Sequence, residues 1–215
     1  MSIMTGDEKH SRASTSTLDV LWALYDRVLQ VDPDDPANAD RDRFFLSKGH
    51  GPVAYYAVLA ARGFIDPESL RSFGAFTSIL GHHPDRKLIP GVEISSGSLG
   101  QGIALGVGSA YAIRLSGSSA RVFVMIGDGE LDEGSNHEAI ALAARLGLEN
   151  LIVVVIDNDS STHRWPGGIG SRFDVEGWRS VDVDGRNQSE ITSAFTTSHT
   201  DRPLAVVAKV GGLYA

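Results

Sequence analysis

The chain has 215 residues, 42% of them hydrophobic and 21% charged, enough for one domain with a sizeable core. A formal net charge of -8 excludes a sequence-independent grip on nucleic acid and disfavours anionic membrane surfaces. There is no cysteine, hence no disulfide and no thiolate metal site, and no apolar stretch reaches membrane-spanning length.

Residues 1–13 form a polar N-terminal segment without the apolar core of a signal peptide, so a cytoplasmic protein is expected. Leu18, Leu21, Trp22, Tyr25, Val28 and Leu29 recur at helical spacing and predict an amphipathic helix over 14–30. Two prolines and five aspartates between residues 31 and 42 suit an exposed loop. Phe44, Phe45 and Leu46 read as a short buried strand delivering Ser47-Lys48-Gly49-His50-Gly51, and a helix follows over 53–62. Asp66-Pro67-Glu68 carries the signature of a helix start, with Asp at the cap and Pro in the first turn.

Residues 74–97 are loop-like, and 99–115 predict a helix in which Gly102, Gly106 and Ala110 recur every four residues. That small-residue stripe admits a close neighbour, either a partner or an element of its own domain. Aliphatic strands over 122–126 and 151–156 flank a helix over 133–146. Val181 and Val183, a helix over 188–197 and a strand over 204–210 complete the pattern. Aliphatic strands alternating with helices predict one α/β domain over residues 1–215, a parallel β-sheet sandwiched by helices.

The strand over 122–126 runs directly into Gly127-Asp128-Gly129-Glu130, and the strand over 151–156 runs into Asp157-Asn158. Ligands of open parallel sheets sit beyond the carboxyl ends of strands, so both turns face the right edge. The two glycines allow a tight turn and a close approach to an anion, and Asp128 supplies a hard carboxylate. Magnesium takes six oxygens, some from substrate phosphates. Asp128, Asn158, a nearby carbonyl, phosphate oxygens and a water would complete such a shell. Gly-Asp-Gly alone is an ordinary turn sequence; its place between two strand ends gives it weight.

GDGELDEGSNHEAIALAARLGLENLIVVVIDN resembles the diphosphate-binding motif of thiamine diphosphate enzymes, most closely that of transketolases. DRDRFFLSKGHG is similar to the transketolase segment that carries a cofactor-contacting histidine. GVEISSGSLGQGIALGVGSA is similar to the family's aminopyrimidine-contacting loop and following helix. The matches run through nearly the whole chain in the family's order. The resemblance implies the thiamine diphosphate-binding fold, with Asp128, Asn158 and the Ser160 carbonyl as ligands of Mg2+. It implies backbone contacts from Gly129 and Glu130, beside Gly127, to the diphosphate. Gly97, Ser98 and Leu99 would form the aminopyrimidine loop, Ser98 standing where the family often has proline. Glu133 matches an acidic residue near the family's dimer interface, and equally suits a charge capping a first helical turn.

By the same resemblance His50 contacts the diphosphate near the substrate, His83 binds donor hydroxyls, and His10 touches the C1–C2 part of the sugar. Lys9 and Arg12 replace the glycines that flank the family's counterpart of His10. His137 reads as structural, and nothing fixes a role for His163. The pyrimidine half of a full transketolase is not within these residues. The expected protein is therefore the first subunit of a split transketolase, acting on a ketose phosphate with a separate pyrimidine-domain subunit in an α2β2 assembly. Two other readings stand beside it. One is two-carbon transfer from a ketose or 2-oxoacid to a lipoyl or acyl-carrier protein, and the other is a non-catalytic, cofactor-binding regulatory paralogue.

Overall fold

A computed structural model describes residues 1, 3–4, 16–50, 52–162 and 165–211. Five parallel strands form one sheet: β1 (Arg43–Leu46), β2 (Val122–Gly127), β3 (Leu151–Asp157), β4 (Arg179–Asp184) and β5 (Leu204–Lys209). Their order is β1-β2-β3-β5-β4. The expected α/β sandwich is therefore the observed one. β2, β3 and β5 are buried on both faces, which is why they read as aliphatic runs without alternation. β4 lies at an edge, half exposed, and its Asp182 pairs with Lys209 of β5 at 2.6 Å.

Successive strand residues feed two separate cores. Phe44, Phe123, Met125, Ile152, Val154 and Val206 face α1 (Leu18–Ala23), α2 (Val53–Ala61) and α6 (Gln188–Ala194). Val122, Val124, Ile126, Val153 and Val155 face α3 (Gly102–Ser116), α4 (Gly134–Arg145) and α5 (Ile169–Asp174). Among the described residues, no helix is long and apolar enough to cross a membrane.

Several boundaries differ from the sequence expectation. The first helix widens into a π-turn over Leu24–Val28, where Tyr25 turns its hydroxyl to that of Tyr55 at 3.1 Å. The Asp66 start leads to a 3-10 helix, Pro67–Ser72, with the Asp66 carboxylate accepting the Glu68 N–H. The helix expected from 99 starts at Gly102, because the Gly100 peptide is held by side chains of another loop. α5 is not legible in the sequence: six residues between glycine-rich turns present no helical period, and only the burial of Phe173 beside Trp178 fixes it.

The small-residue stripe of α3 packs inside its own domain. A Cβ on Gly106 would come within 2.5 Å of Val124 Cγ2, whereas one on Gly108 would meet open space. Alanine gains the same helix propensity at both positions. Gly106→Ala should therefore be less stable than Gly108→Ala by about 1–3 kcal/mol, the cost of overpacking, as read from urea midpoints.

Candidate functional site

β2 and β3 end side by side. Gly127 pairs with Ile156, and the Asp128 N–H donates to the Ile156 carbonyl at 3.0 Å, continuing the ladder one step. Asp128 is thereby delivered, 1% exposed, next to the turn that follows β3. Asp159 takes a positive φ of 58° in that turn, and the chain folds back over Asp128. Asp128 Oδ2 accepts the N–H groups of Ser160 at 2.6 Å and Ser161 at 3.0 Å, and Oδ1 accepts the Ser160 hydroxyl at 2.5 Å. Three of about four lone-pair sites on the carboxylate are used, leaving one on Oδ1 for a further partner.

Asn158 Oδ1 is buried with no hydrogen-bond partner. A buried carbonyl left unmet is costly, and a cation would satisfy it. The Ser160 carbonyl lies 3.5 Å from where a Cβ on Gly129 would stand, so this loop touches the Gly127-Asp128-Gly129 turn. Among the described residues no acceptor faces the N–H groups of Gly129 or Glu130, which start a 3-10 turn over Glu130–Asp132. Among the described residues, no group of three or more His, Asp or Glu side chains is placed so that it alone could hold a metal ion. A hard cation at Asp128 would thus draw on neutral oxygens and on ligand phosphates, a donor set suited to magnesium.

A second cluster gathers around the histidines. His50 and His83 lie edge to face with ring centroids 5.4 Å apart. The His83 ring lies against Gly97, whose φ of 149° and lack of Cβ allow the contact, since a Cβ there would be 2.9 Å from Cδ2. Gly49 abuts Ser96 and Gly97 in the same way. The loops bearing His50, Gly97-Ser98-Leu99 and His83 therefore meet, with His83 and Ser98 exposed and Leu99 half-buried. His10 and His163 fall outside the described residues. His137 accepts a hydrogen bond at Nδ1 from Arg172 and packs on Trp165, in keeping with a structural part. Glu133 stands at the N-cap of α4, where its charge faces the positive end of the helix dipole, and it makes no side-chain cap hydrogen bond.

The side-chain parts played by several residues around the turn escape a reading of the sequence. Glu130, 3% exposed, accepts at Oε1 the Ser47 hydroxyl and the Gly100 N–H. Burial raises its pKa, and those bonds and nearby Lys48 pull it back down. Asp132 accepts the hydroxyls of Ser161 and Thr162, both at 3.1 Å or less, and so pins the outer side of the same loop. Lys48 is 8% exposed, and its stem runs against Gly127. Burial pushes its amine down to about 8 against the attraction of Asp128 and Glu130. The signal for these residues is position: Ser47 and Lys48 directly follow a buried strand, as Asp128 does.

The family model of the transketolase thiamine diphosphate binding domain matches residues 2–211. The chain belongs to the transketolase family. Ferredoxin fas2 of Rhodococcoides fascians is 56% identical over 211 residues, covering 98% of this chain and 69% of that protein. These 215 residues contain no cysteine, so they cannot supply thiolates to an iron–sulfur cluster. An apulose-4-phosphate transketolase subunit of Actinobacillus succinogenes is 44% identical over 145 residues, 67% of this chain and 52% of that one. Transketolase from Campylobacter jejuni superposes with a TM-score of 0.81 at 26% identity, covering 97% of this chain and 38% of its own. The chain thus spans between half and seven tenths of these two relatives and under two fifths of the solved transketolase.

In this transketolase-family chain, Lys48 links the site to stability. Below pH 8 its amine is protonated in folded and unfolded chains alike, and the burial cost is present in full. Above about pH 8 the folded chain releases the proton first, so stability rises with pH until the unfolded amine titrates near 10.5. The ligand-free protein should gain up to roughly 3 kcal/mol from this group across that window, a gain absent in Lys48→Met when urea midpoints are measured against pH.

Proposed function

We propose that this chain is the diphosphate-binding subunit of a split transketolase, which moves a two-carbon ketol unit from a ketose or ketose phosphate with a separate pyrimidine-domain subunit. The observation that supports this reading is that buried Asp128, at the end of β2, is met by the loop after β3, where Asn158 Oδ1 is buried without a hydrogen-bond partner and the Ser160 carbonyl lies near Gly129. These three oxygens suit Mg2+, and the N–H groups of Gly129 and Glu130 suit the diphosphate it would bridge. Backbone groups of Gly97 and Leu99 would hold the aminopyrimidine. When bound, thiamine diphosphate supplies the electron sink for breaking the carbon–carbon bond beside a ketone.

The protein's own part is positioning and proton handling. His83, exposed beside Gly97, would orient donor hydroxyls, and His50, in ring contact with it, would reach the diphosphate. Imidazoles hold or release a proton near neutral pH, which fits them to hydroxyls that change protonation during cleavage. His10 is a further proposed contact to the sugar. A relative that is itself one subunit of a transketolase supports a two-chain enzyme, and we assign this chain an α2β2 assembly in the cytoplasm. Two neighbouring histidines favour a polyhydroxylated donor over a 2-oxoacid.

The test is to purify the chain with the product of its neighbouring gene, add thiamine diphosphate and Mg2+, and trace a labelled ketose phosphate. Label on an aldose acceptor and release of a shortened aldose are expected. Label on a lipoyl or acyl-carrier protein would replace this reading with the carrier one, and binding without cleavage would favour a regulatory paralogue. Asp128→Ala should abolish metal-dependent cofactor binding in calorimetry; unchanged affinity would reject the metal site. His83→Ala should lower donor turnover by about a hundredfold while shifting cofactor affinity by less than about threefold. The opposite pattern would remove His83 from the substrate side.

A further inference from the structure

The Glu130 backbone belongs to the proposed diphosphate turn, but its carboxylate serves a different purpose. Oε1 accepts the Ser47 hydroxyl at 2.5 Å and the Gly100 N–H at 3.0 Å, and Oε2 faces the Gly127 N–H at 3.4 Å. Ser47 Oγ in turn accepts the Gly102 N–H at 3.0 Å. The Gly100 carbonyl accepts the Ser135 hydroxyl at 2.7 Å, so the Gly100 residue is held at both its N–H and its carbonyl by residues that follow the diphosphate turn. The fit is close: Gly100 has a φ of 80°, and a Cβ there would come within 2.5 Å of Ser135 Oγ. A Cβ on Gly102 would fall inside the Ser47 side chain. The Asn136 amide fixes the base of the arrangement by donating to the Glu130 carbonyl at 2.6 Å.

A buried carboxylate is unfavourable unless its lone pairs are met, and here its partners are Gly100 within the 97–102 loop, Gly127 in the diphosphate turn and Ser47 at the strand end before His50. We propose that the Glu130 side chain is a positioning residue, locking the 97–102 loop to the diphosphate turn so that one thiamine diphosphate meets preset backbone groups at both ends. This rests on the cofactor reading above. A ligand gripped at two points gains from each grip only if their spacing is set before it arrives, because otherwise binding must order one of the loops. Glu130 acts on that spacing and not on either end of the cofactor through its carboxylate.

Two probes separate positioning from general damage: thiamine diphosphate and inorganic pyrophosphate, each titrated with Mg2+ by calorimetry into the purified complex of the chain with its partner subunit. Glu130→Ala should lower affinity for thiamine diphosphate by about tenfold or more while leaving pyrophosphate within about threefold. Glu130→Gln keeps an oxygen able to accept from both Ser47 and Gly100, and should restore most of the loss. Ser135→Ala releases only the Gly100 carbonyl, and should give a smaller split in the same sense even if Glu130→Ala fails to fold. Equal weakening of both probes, or no weakening of either in folded variants, would overturn the proposal. So would a wild-type complex that binds pyrophosphate but not thiamine diphosphate. A wild-type complex that binds neither would instead defeat the cofactor reading itself.

Discussion

The pairing of β2 with β3 sets the position of the polar groups at the candidate site. Both strands are buried along their length and parallel, so neither can vary its register without moving aliphatic side chains between two packed cores. The ladder runs one residue past the sheet, to the Asp128 N–H on the Ile156 carbonyl, and stops. Beyond that point backbone groups need other partners, and the chain supplies them from Asp128, Glu130 and Asp132. A slip of one residue would turn Asp128 away from Ser160 and empty the proposed metal position of its carboxylate.

Those three acidic residues alternate along one tight turn, and each pins a different piece of chain. Asp128 holds the start of the loop after β3, Asp132 holds its outer side, and Glu130 reaches inward to the loop before α3. Concentrating carboxylates in a buried turn is electrostatically unfavourable, and the fold compensates in two ways. Nearly every oxygen accepts an N–H or O–H, and the buried Lys48 amine lies within electrostatic reach of Asp128 and Glu130. The unsatisfied remainder, Asn158 Oδ1 and the free lone pair of Asp128, is the part a metal and diphosphate would complete.

Much of the fold is legible in the chain because long aliphatic runs such as Leu151–Asp157 have one physical use, a strand buried on both faces. The half-exposed edge strand and the short α5 are harder. Their places are fixed by contacts with distant residues, as Trp178, packed on Phe173, is by its hydrogen bond to the Ile140 carbonyl, and no local period announces them. Helix starts shift for the same reason. Leu99 and Gln101 have helical propensity, but Gly100 between them takes a φ of 80° and is held at its N–H and carbonyl by Glu130 and Ser135 from another segment.

The sequence by itself determines which residues can take part in this chemistry and the order in which they arrive. Strand ends place Asp128 and Asn158 at one edge, glycines mark the tight turns, and the family's motifs single out His50, His83 and the Gly97-Ser98-Leu99 loop. Only the tertiary structure decides how those loops are held together. The contact between His50 and His83, the stem of Lys48 over Gly127 and the bonds from Glu130 to Ser47 and Gly100 join residues dozens of positions apart. Interactions across such separations depend on how two cores pack against one sheet, and a local pattern of residue types carries no information about that distance.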